Sequence, residues 1–426
     1  MIYKSLPTGG LLFGELMKND RIDILDGIRA YAILIIMGFH LWQQSWMQYV
    51  YPSNMLASIG IRDISLNWIP RTGYMLVDVL LLLSAFCLFL PYARKKADPL
   101  AKEPDSLLLY TKKRTARILP PYYLCILIFA VFFIRPDMYI TKGEYIKDLI
   151  THLTFTHTFF PETYFSTQFP TTLWTLCIEM QFYLLFPLLA RLFRRFPLFT
   201  WLGMQVAAEV FIALCARTPN GGADRMMINQ LPAFFGVFAN GMLGAYAYPI
   251  LRKKLTNEPR KYLTLLSTVI SLLCLTGMAC MLKFGLSTAA EVQRWQVDFR
   301  FVFSALACLF ILSLSFAHTD LRWFFSCKFI RFTAAISYNL YIWHAVIMLK
   351  MKEYRIPHFP DAPADAWGWP QSASSEGWYR TWQYGYVFIF WIFTFLLCTV
   401  LTYAFEKPVY NGLMKLKLSK KEPEQR

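Results

Sequence analysis

The chain has 426 residues, of which 56% are hydrophobic and only 16% are charged. A soluble globular protein of this length carries more charge and shorter apolar runs, so the composition excludes that class and indicates a polytopic membrane protein. The formal net charge of +16 does not point to nucleic acid, because Lys and Arg concentrate in short segments between the apolar runs. The first residues lack the apolar core and cleavage site of a signal peptide.

About ten apolar stretches are long enough to cross a bilayer as helices, which takes roughly 17 to 25 residues each. They centre near residues 35, 82, 126, 182, 207, 241, 272, 308, 342 and 394. Lys and Arg are about twice as abundant in the segments on one side, so the positive-inside rule predicts that both termini are cytoplasmic. The predicted fold is an all-α bundle that spans the membrane and is surrounded by lipid, since an open sheet edge cannot face hydrocarbon.

The segments between these stretches are too short for a separate globular domain, and no internal repeat is visible. We expect a cytoplasmic segment at residues 1–21, one membrane domain at 22–410 and a basic cytoplasmic tail at 411–426. The nine cysteines fall mostly in apolar stretches and show neither CxxC pairs nor metal-ligand spacing. The sequence therefore predicts neither disulfides nor a metal site.

The first stretch, LDGIRAYAILIIMGFHLW at residues 25–42, contains Arg29 and His40, which are costly to place in a bilayer. Eleven residues make about three helical turns, so the two side chains share a helix face about 16 Å apart. Asp26 lies at the inner edge. Either this face lines a functional wall, or Arg29 extends to the interface and His40 only hydrogen-bonds a neighbouring helix.

Polar groups that can face inward also occur in the second, fourth and ninth stretches. They are Asp78, Ser84, Glu179, Gln181, Tyr338 and His344. A neutral imidazole can take a proton from a hydroxyl at physiological pH. A carboxylate on another helix can hold that imidazole in the useful tautomer. The sequence leaves open whether Glu179 contacts His40 or pairs with a buried arginine.

The third stretch begins with KKRTARILPPYYL, in which Arg114 and Arg117 share a helix face next to Lys113. Such a pair suits a phosphate-rich ligand. The alternative is a membrane anchor that faces lipid headgroups. Pro120 and Pro121 predict a bend or an interruption of the helix just beyond the pair.

Six segments in order along the chain resemble the motifs of the acyltransferase family 3 membrane proteins. That family includes bacterial O-antigen and exopolysaccharide O-acetyltransferases and macrolide acyltransferases. The segments are LDGIRAYAILIIMGFH, VDVLLLLSAFCLFL, KKRTARILPPYY, LWTLCIEMQFYLLFPLL, ISYNLYIWH and EKPVY, and they extend from about residue 22 to 410. Ala85 replaces the glycine of the usual S-G-F, and Thr175 replaces the serine of W-S. Met180 stands where a second acid is common, which leaves Glu179 as the only acid of its motif.

The resemblance implies transfer of an acyl group, usually acetyl, from cytoplasmic acyl-CoA to a hydroxyl at a bacterial cytoplasmic membrane. A surface polysaccharide, a lipid-linked glycan and a glycosylated small molecule are all open as acceptors. The implied roles are general base for His40, orienting group for Glu179, and CoA phosphate binding for Arg114, Arg117, Lys113 and Arg29. Arg29 is also counted with His40 and Glu179 as a catalytic residue. A supporting polar cluster would comprise Asp26, Asp78, Ser84, Gln181, Tyr338 and His344. Direct transfer is favoured over a covalent acyl-histidine.

Two other classes of function compete with acyl transfer. A secondary transporter or flippase would also have about ten spans and buried ionisable residues. Against it, the chain shows no repeat and no paired Gly/Pro-interrupted spans in corresponding halves. A non-catalytic membrane sensor would leave the paired arginines and the buried His and Glu unexplained. The sequence therefore favours an acyltransferase.

Overall fold

The computed structural model describes residues 22–53, 57, 60, 62–216, 224–255, 260–288, 292–358 and 377–416. Within these ranges, ten helices are long and apolar enough to cross a membrane. The predicted all-α bundle and the number of spans are confirmed. The predicted segment 1–21 and residues 417–426 of the predicted tail lie outside the described residues.

We number the ten long helices α1 to α10. They are α1 (Asp23–Ser45), α2 (Leu76–Ala97), α3 (Leu107–Ile128), α4 (Trp174–Arg195), α5 (Pro197–Phe211), α6 (Phe235–Leu255), α7 (Arg260–Thr288), α8 (Val292–Leu314), α9 (Lys328–Glu353) and α10 (Gly377–Val400). Short π-helical stretches extend α3, α5 and α10 at Phe129–Phe133, Ile212–Ala216 and Leu401–Glu406. Shorter α-helices are Trp68–Arg71, Lys142–Leu153, Pro161–Phe165, Asp224–Met227, Thr319–Phe324 and Lys407–Lys415. Single 3-10 turns are Gly73–Met75, Pro136–Met138, His157–Phe159, Thr171–Leu173 and Leu231–Phe234.

Local signals set the ends of the helices near the site. Helix α1 ends at Trp46, which adopts a left-handed backbone with φ of 49° and donates its N–H to the carbonyl of Trp42 at 2.8 Å. Helix α3 starts after Ser106, whose hydroxyl accepts the N–H of Leu109. Beyond α1, two exposed strands, Val50–Pro52 and Asp63–Ser65, form an antiparallel hairpin with Val50 opposite Ser65. This small sheet lies between spans, where water can solvate its edges.

The core forms where α1 packs between α2 and α9, and where α2 packs along α6. Glycine permits the closest backbone approaches. A Cβ at Gly241 of α6 would lie 2.3 Å from the carbonyl oxygen of Leu82 in α2. A Cβ at Gly27 of α1 would lie 1.7 Å from the carbonyl oxygen of Phe325. Small residues at such crossings are typical of helix packing in membranes, where close contact drives association.

Helix α3 continues through Pro120 and Pro121, so of the predicted bend or interruption the interruption does not occur. A proline inside a membrane helix is tolerated where neighbouring helices and side chains compensate for the missing N–H. As a result, Arg114 and Arg117 lie well inside a continuous helix that begins at Leu107. The helix changes to π geometry only at Phe129–Phe133.

The segment 134–170 between α3 and α4 folds against the same end of the bundle at which α1 ends. Tyr122 and Tyr123 of α3 donate hydrogen bonds to the carbonyls of His152 and Leu153, at 2.8 and 2.9 Å. The amide of Asn229 donates to the hydroxyl of Tyr164 at 2.6 Å. These bonds hold the short helices of the segment over the ends of α1, α2 and α4, where they form part of a cavity wall.

Candidate active site

Two cavities lie along α1. The arginine cavity, of about 450 Å³, is lined by Arg29, Ser84, Arg114, Arg117, Glu179 and Tyr183 among others. The histidine cavity, of about 480 Å³, is lined by His40, Trp42, Arg71, His152, His157 and Tyr164 among others. The arginine cavity is at the end where α1 and α3 begin, and the histidine cavity is at the end where α1 finishes. Val77 and Tyr341 line both, so they form the wall between the cavities.

The arginine cavity brings together three of the four predicted cationic residues. Arg29 from α1 and Arg114 and Arg117 from α3 all line it. The Nη1 atom of Arg29 lies 3.2 Å from a carboxylate oxygen of Asp26, one helical turn earlier. The buried Nε of Arg114 has no hydrogen-bond partner among the described residues. The cavity thus holds guanidinium groups that retain capacity for an anionic ligand.

Lys113 does not join this group. Its ammonium contacts both carboxylate oxygens of Asp105, at 2.7 and 2.8 Å, and it is not among the residues that line the cavity. The i, i+1 step from Lys113 to Arg114 rotates the side chain by about a quarter turn or more around α3, away from the arginine face. The structure therefore places Lys113 at the edge of the site, where it holds the segment before α3.

Glu179 belongs to the arginine cavity rather than to the surroundings of His40. The hydroxyl of Ser84 donates to Glu179 Oε1 at 2.7 Å, and the hydroxyl of Tyr183, one turn further along α4, donates to the same oxygen. The hydroxyls of Ser84 and Tyr183 lie 3.1 Å apart. The second-span Ser and the fourth-span Glu thus meet, while His40 lines the other cavity.

His40 has a different partner, one turn ahead on its own helix. Its Nδ1 lies 3.1 Å from Oε1 of Gln43. An amide oxygen can only accept, so Nδ1 carries the hydrogen and Nε2 keeps its lone pair as a base. Gln43 was not among the predicted site residues, although the i, i+3 spacing on a helix is the signal that pairs it with His40.

His344 of α9 lies next to His40, with 5.2 Å between the ring centroids. Its Nδ1 lies 2.9 Å from the carbonyl oxygen of Leu340, so Nδ1 donates there and Nε2 is the free acceptor. That Nε2 is buried and has no hydrogen-bond partner among the described residues. The first and ninth helices therefore place two imidazoles with basic Nε2 atoms side by side.

The wall between the cavities is held by a hydroxyl pair. The hydroxyls of Thr175 and Tyr341 lie 2.7 Å apart, and Thr175 Oγ1 is also 3.1 Å from the carbonyl oxygen of Thr172. Thr175 is the residue that replaces the serine of the W-S motif. Because threonine retains the hydroxyl, it can still position Tyr341 between the two cavities.

Two histidines outside the spans, neither of them among the predicted site residues, complete the histidine cavity. The rings of His152 and His157 stack with centroids 4.0 Å apart. His152 Nδ1 lies 3.1 Å from a carboxylate oxygen of Asp148 and 2.9 Å from its backbone oxygen. Tyr139 and Thr167 donate to the other carboxylate oxygen at 2.7 and 2.9 Å. Burial, reinforced by neighbouring His152, holds the pKa of His157 well below its ordinary value, so this ring is neutral.

The predicted supporting residues divide between the cavities and the bundle interior. Asp26, Ser84 and Tyr338 line the arginine cavity, and the Tyr338 hydroxyl donates to the carbonyl of Ile118 at 3.0 Å. Gln181 instead donates to the carbonyl of Phe155 at 3.2 Å and is not among the residues that line either cavity.

Asp78 pairs with a buried arginine that was not among the predicted site residues. Its Oδ2 lies 3.3 Å from Nε of Arg300 in α8, and both side chains are buried. Arg300 also donates to the carbonyls of Ile228 and Ala233 at 3.1 and 3.2 Å. Asp78 lines neither cavity. This pair joins α2, α8 and the segment before α6, so its role is structural. The sequence feature that could have identified Arg300 is that it is a charged residue within an apolar stretch.

Residues 22–407 match the profile of acyltransferase family 3, described as an acyltransferase domain. The chain belongs to this family. The matched range includes the residues of both cavities, from Arg29 of α1 to His344 of α9. The match also supports a multi-pass integral membrane protein, in agreement with the ten helices.

Among curated proteins, this member of acyltransferase family 3 is similar to acyltransferase MdmB of Streptomyces mycarofaciens, with 28% identity over 193 residues that cover 45% of each chain. It is also similar to O-acetyltransferase OatA of Staphylococcus aureus, with 23% identity over 362 residues that cover 78% of this chain and 51% of OatA. The chain spans about half the length of these relatives. No solved structure matches significantly.

Proposed function

We propose that this chain is an O-acyltransferase of a bacterial cytoplasmic membrane. It transfers an acyl group, most simply acetyl, from cytoplasmic acyl-CoA to a hydroxyl of a carbohydrate or glycosylated acceptor. Membership of acyltransferase family 3 and the similarity to an O-acetyltransferase support this reaction class. The observation that carries the proposal is the pair of cavities on one helix, one with three guanidinium groups and one with a basic histidine.

In this proposal the arginine cavity binds the donor. Guanidinium groups make bidentate hydrogen bonds to phosphate, and Arg29, Arg114 and Arg117 can meet the several phosphates of CoA. The unpartnered Nε of Arg114 supplies a donor that a phosphate oxygen would satisfy. The excess of Lys and Arg on this side of the bundle supports a cytoplasmic orientation, which is where acyl-CoA is found.

The acyl end of the donor would reach the histidine cavity along α1. Arg29 and His40 are about 16 Å apart along the helix, a distance on the scale of the pantetheine arm. The arm has to pass the wall formed by Val77 and Tyr341. The thioester carbon would then lie within reach of an acceptor hydroxyl held at His40.

His40 acts as the general base. Its Nε2 takes the proton of the acceptor hydroxyl while the oxygen attacks the thioester carbonyl, and the carbon–sulfur bond breaks to release the CoA thiolate. The imidazolium returns the proton to the thiolate, so no net proton is produced. Gln43 orients the ring through Nδ1, the role that the sequence had assigned to Glu179. Glu179, held by Ser84 and Tyr183, instead orders the donor side.

The test is thioester consumption by the purified protein in lipid nanodiscs. Acetyl-CoA is supplied with bacterial membrane glycans, and free thiol and acetylated product are both measured. We expect thiol release that His40→Ala abolishes and that the control His318→Ala, at an exposed histidine, preserves. Thiol release without acetylated product would indicate hydrolysis. Full product formation by His40→Ala, or no thioester consumption by the native chain, would overturn the proposal. A secondary transporter or flippase would then be the remaining alternative.

A further inference from the structure

The histidine cavity contains a positive charge with no matching negative charge. Arg71, at the end of the short helix Trp68–Arg71, is the charged side chain on its described wall, and none of the described lining residues is an aspartate or glutamate. Among the described residues, no carboxylate lies within ion-pair distance of its guanidinium. The arginine cavity differs, because Asp26 and Glu179 are among its lining residues.

The contact that Arg71 does make places it close to His40. Its guanidinium lies over the ring of Trp42, 5.5 Å from the centroid. Arg71, Trp42 and His40 all line the histidine cavity, so the cation and the proposed base border the same volume. An anion bound at Arg71 would therefore lie in the cavity that His40 lines.

Hydrogen-bonding groups without partners line the same cavity. The buried indole N–H of Trp42 and the hydroxyl of Thr172 have no hydrogen-bond partner among the described residues. The side chain of Thr172 is only 4% exposed. Buried polar groups in folded proteins are normally satisfied, so such orphaned atoms mark places where a ligand completes the network. Trp42, Trp174 and Tyr164 add flat faces on which a sugar ring can pack.

We propose that the acceptor is an anionic glycan, whose carboxylate or phosphate binds Arg71 and the indole N–H of Trp42 while a neighbouring hydroxyl faces His40. This inference rests on the proposed function for the role of His40, but the anion site stands on its own contacts. A neutral sugar could accept the indole N–H of Trp42, but it would bring no negative charge to Arg71. The uncompensated charge therefore selects for an acidic acceptor.

The test is a binding titration of the purified protein in neutral-lipid nanodiscs, without an acyl donor. The probes are p-nitrophenyl β-glucuronide, its neutral counterpart p-nitrophenyl β-glucoside, and glucosyl phosphate. We expect at least one anionic probe to bind about tenfold more tightly than the glucoside, the effect of one charge-assisted contact. Whichever of the two anionic probes binds more tightly shows whether the site prefers a uronic acid or a sugar phosphate. The preference should shrink as salt is raised.

Variants at Arg71 decide the assignment. Arg71→Gln should bring the anionic probes to the affinity of the glucoside, and Arg71→Lys should restore part of the preference because it keeps the charge. The control Arg62→Gln, at an exposed arginine of the same inter-span segment, should retain the full preference. Equal affinity for all probes, no binding of either anion, or a preference that survives Arg71→Gln overturns the inference.

The same samples separate this inference from the proposed function. Thioester turnover with acetyl-CoA is measured in parallel with the titration. Selective anion binding without turnover would support the anion site and overturn the acyltransferase proposal. Turnover on the glucoside that equals or exceeds turnover on the anionic probes would overturn the anion site and retain the acyltransferase proposal.

Discussion

The imidazole of His344 lies beside that of His40, with the two ring centroids 5.2 Å apart and the ring planes inclined by 42°. The rings come from α9 and α1, which are far apart in the chain. Each Nδ1 is engaged by an oxygen, that of Leu340 or that of Gln43, so each Nε2 is free to accept a proton. In the proposed reaction, a second imidazole therefore lies next to the general base.

The first prediction separates the two histidines. His40→Asn should lower turnover by roughly a hundredfold to ten-thousandfold, the range of a general base. His344→Asn should lower it by only about tenfold, because asparagine still offers an amide donor to the Leu340 carbonyl while the second base is lost. Steady-state rates with acetyl-CoA measure both, and acyl-CoA affinity should not change. Equal losses at the two positions would contradict this division of roles.

The second prediction concerns Gln43. If its amide oxygen holds the Nδ1 hydrogen of His40, Gln43→Ala should lower kcat by roughly ten- to a hundredfold, the cost of one positioning hydrogen bond. The pH profile should also change, since the preferred tautomer is no longer fixed. Gln44→Ala, one residue away, is the matched control. A Gln43→Ala enzyme with native kcat and an unaltered profile would show that His40 is oriented by another group.

The third prediction concerns the arginine cavity. Replacing both Arg114 and Arg117 with Gln should weaken acyl-CoA binding by at least about tenfold, since each removes charge-assisted bonds to phosphate. Acceptor binding should change little. Lys113→Gln is the control, because Lys113 contacts Asp105 and does not line the cavity. Calorimetric titration with CoA measures the effect. Native CoA affinity in the double variant would reduce the pair to a membrane anchor.

The fourth prediction concerns stability. Asp78→Ala leaves Arg300 buried without its carboxylate, which should lower the free energy of unfolding by about 3–5 kcal/mol. The double variant Asp78→Leu with Arg300→Met removes both charges and should be less damaged than the single variant. Thermal unfolding of the purified protein compares them. A single variant as stable as the native protein would show that the ion pair contributes little to the bundle.

The fifth prediction concerns pH. Burial holds the pKa of His157 below its unfolded value of 6.5, so the unfolded chain binds its proton first as pH falls. Above about pH 6.5 His157 is neutral in both states and does not lower the free energy of unfolding. As pH falls from there toward the folded pKa, the unfolded chain alone is protonated and the free energy of unfolding decreases. Neighbouring His152 opposes protonation further. Replacing His157 with Asn should flatten the fall in Tm between about pH 7 and 5. A slope identical to that of the native protein would argue against this origin.

Much of the fold follows from local sequence. The ten spans are recognisable because an apolar run of bilayer length has one stable form, a helix that satisfies its own backbone. The eleven-residue spacing of Arg29 and His40 places them on one face of α1 for the same local reason. The spacing of Arg114 and Arg117 likewise places both in one cavity.

The partners of these residues depend on packing between distant helices, which local periodicity does not encode. Asp78 meets Arg300 across 222 residues of chain, and Glu179 meets Ser84 of α2 rather than His40. Arg71, His152 and His157 reach the histidine cavity from segments between spans, where neither a helical period nor a hydrophobic run predicts position. Helix length and face are set by the bilayer and by 3.6 residues per turn, whereas helix neighbours are set by side-chain complementarity in the folded bundle.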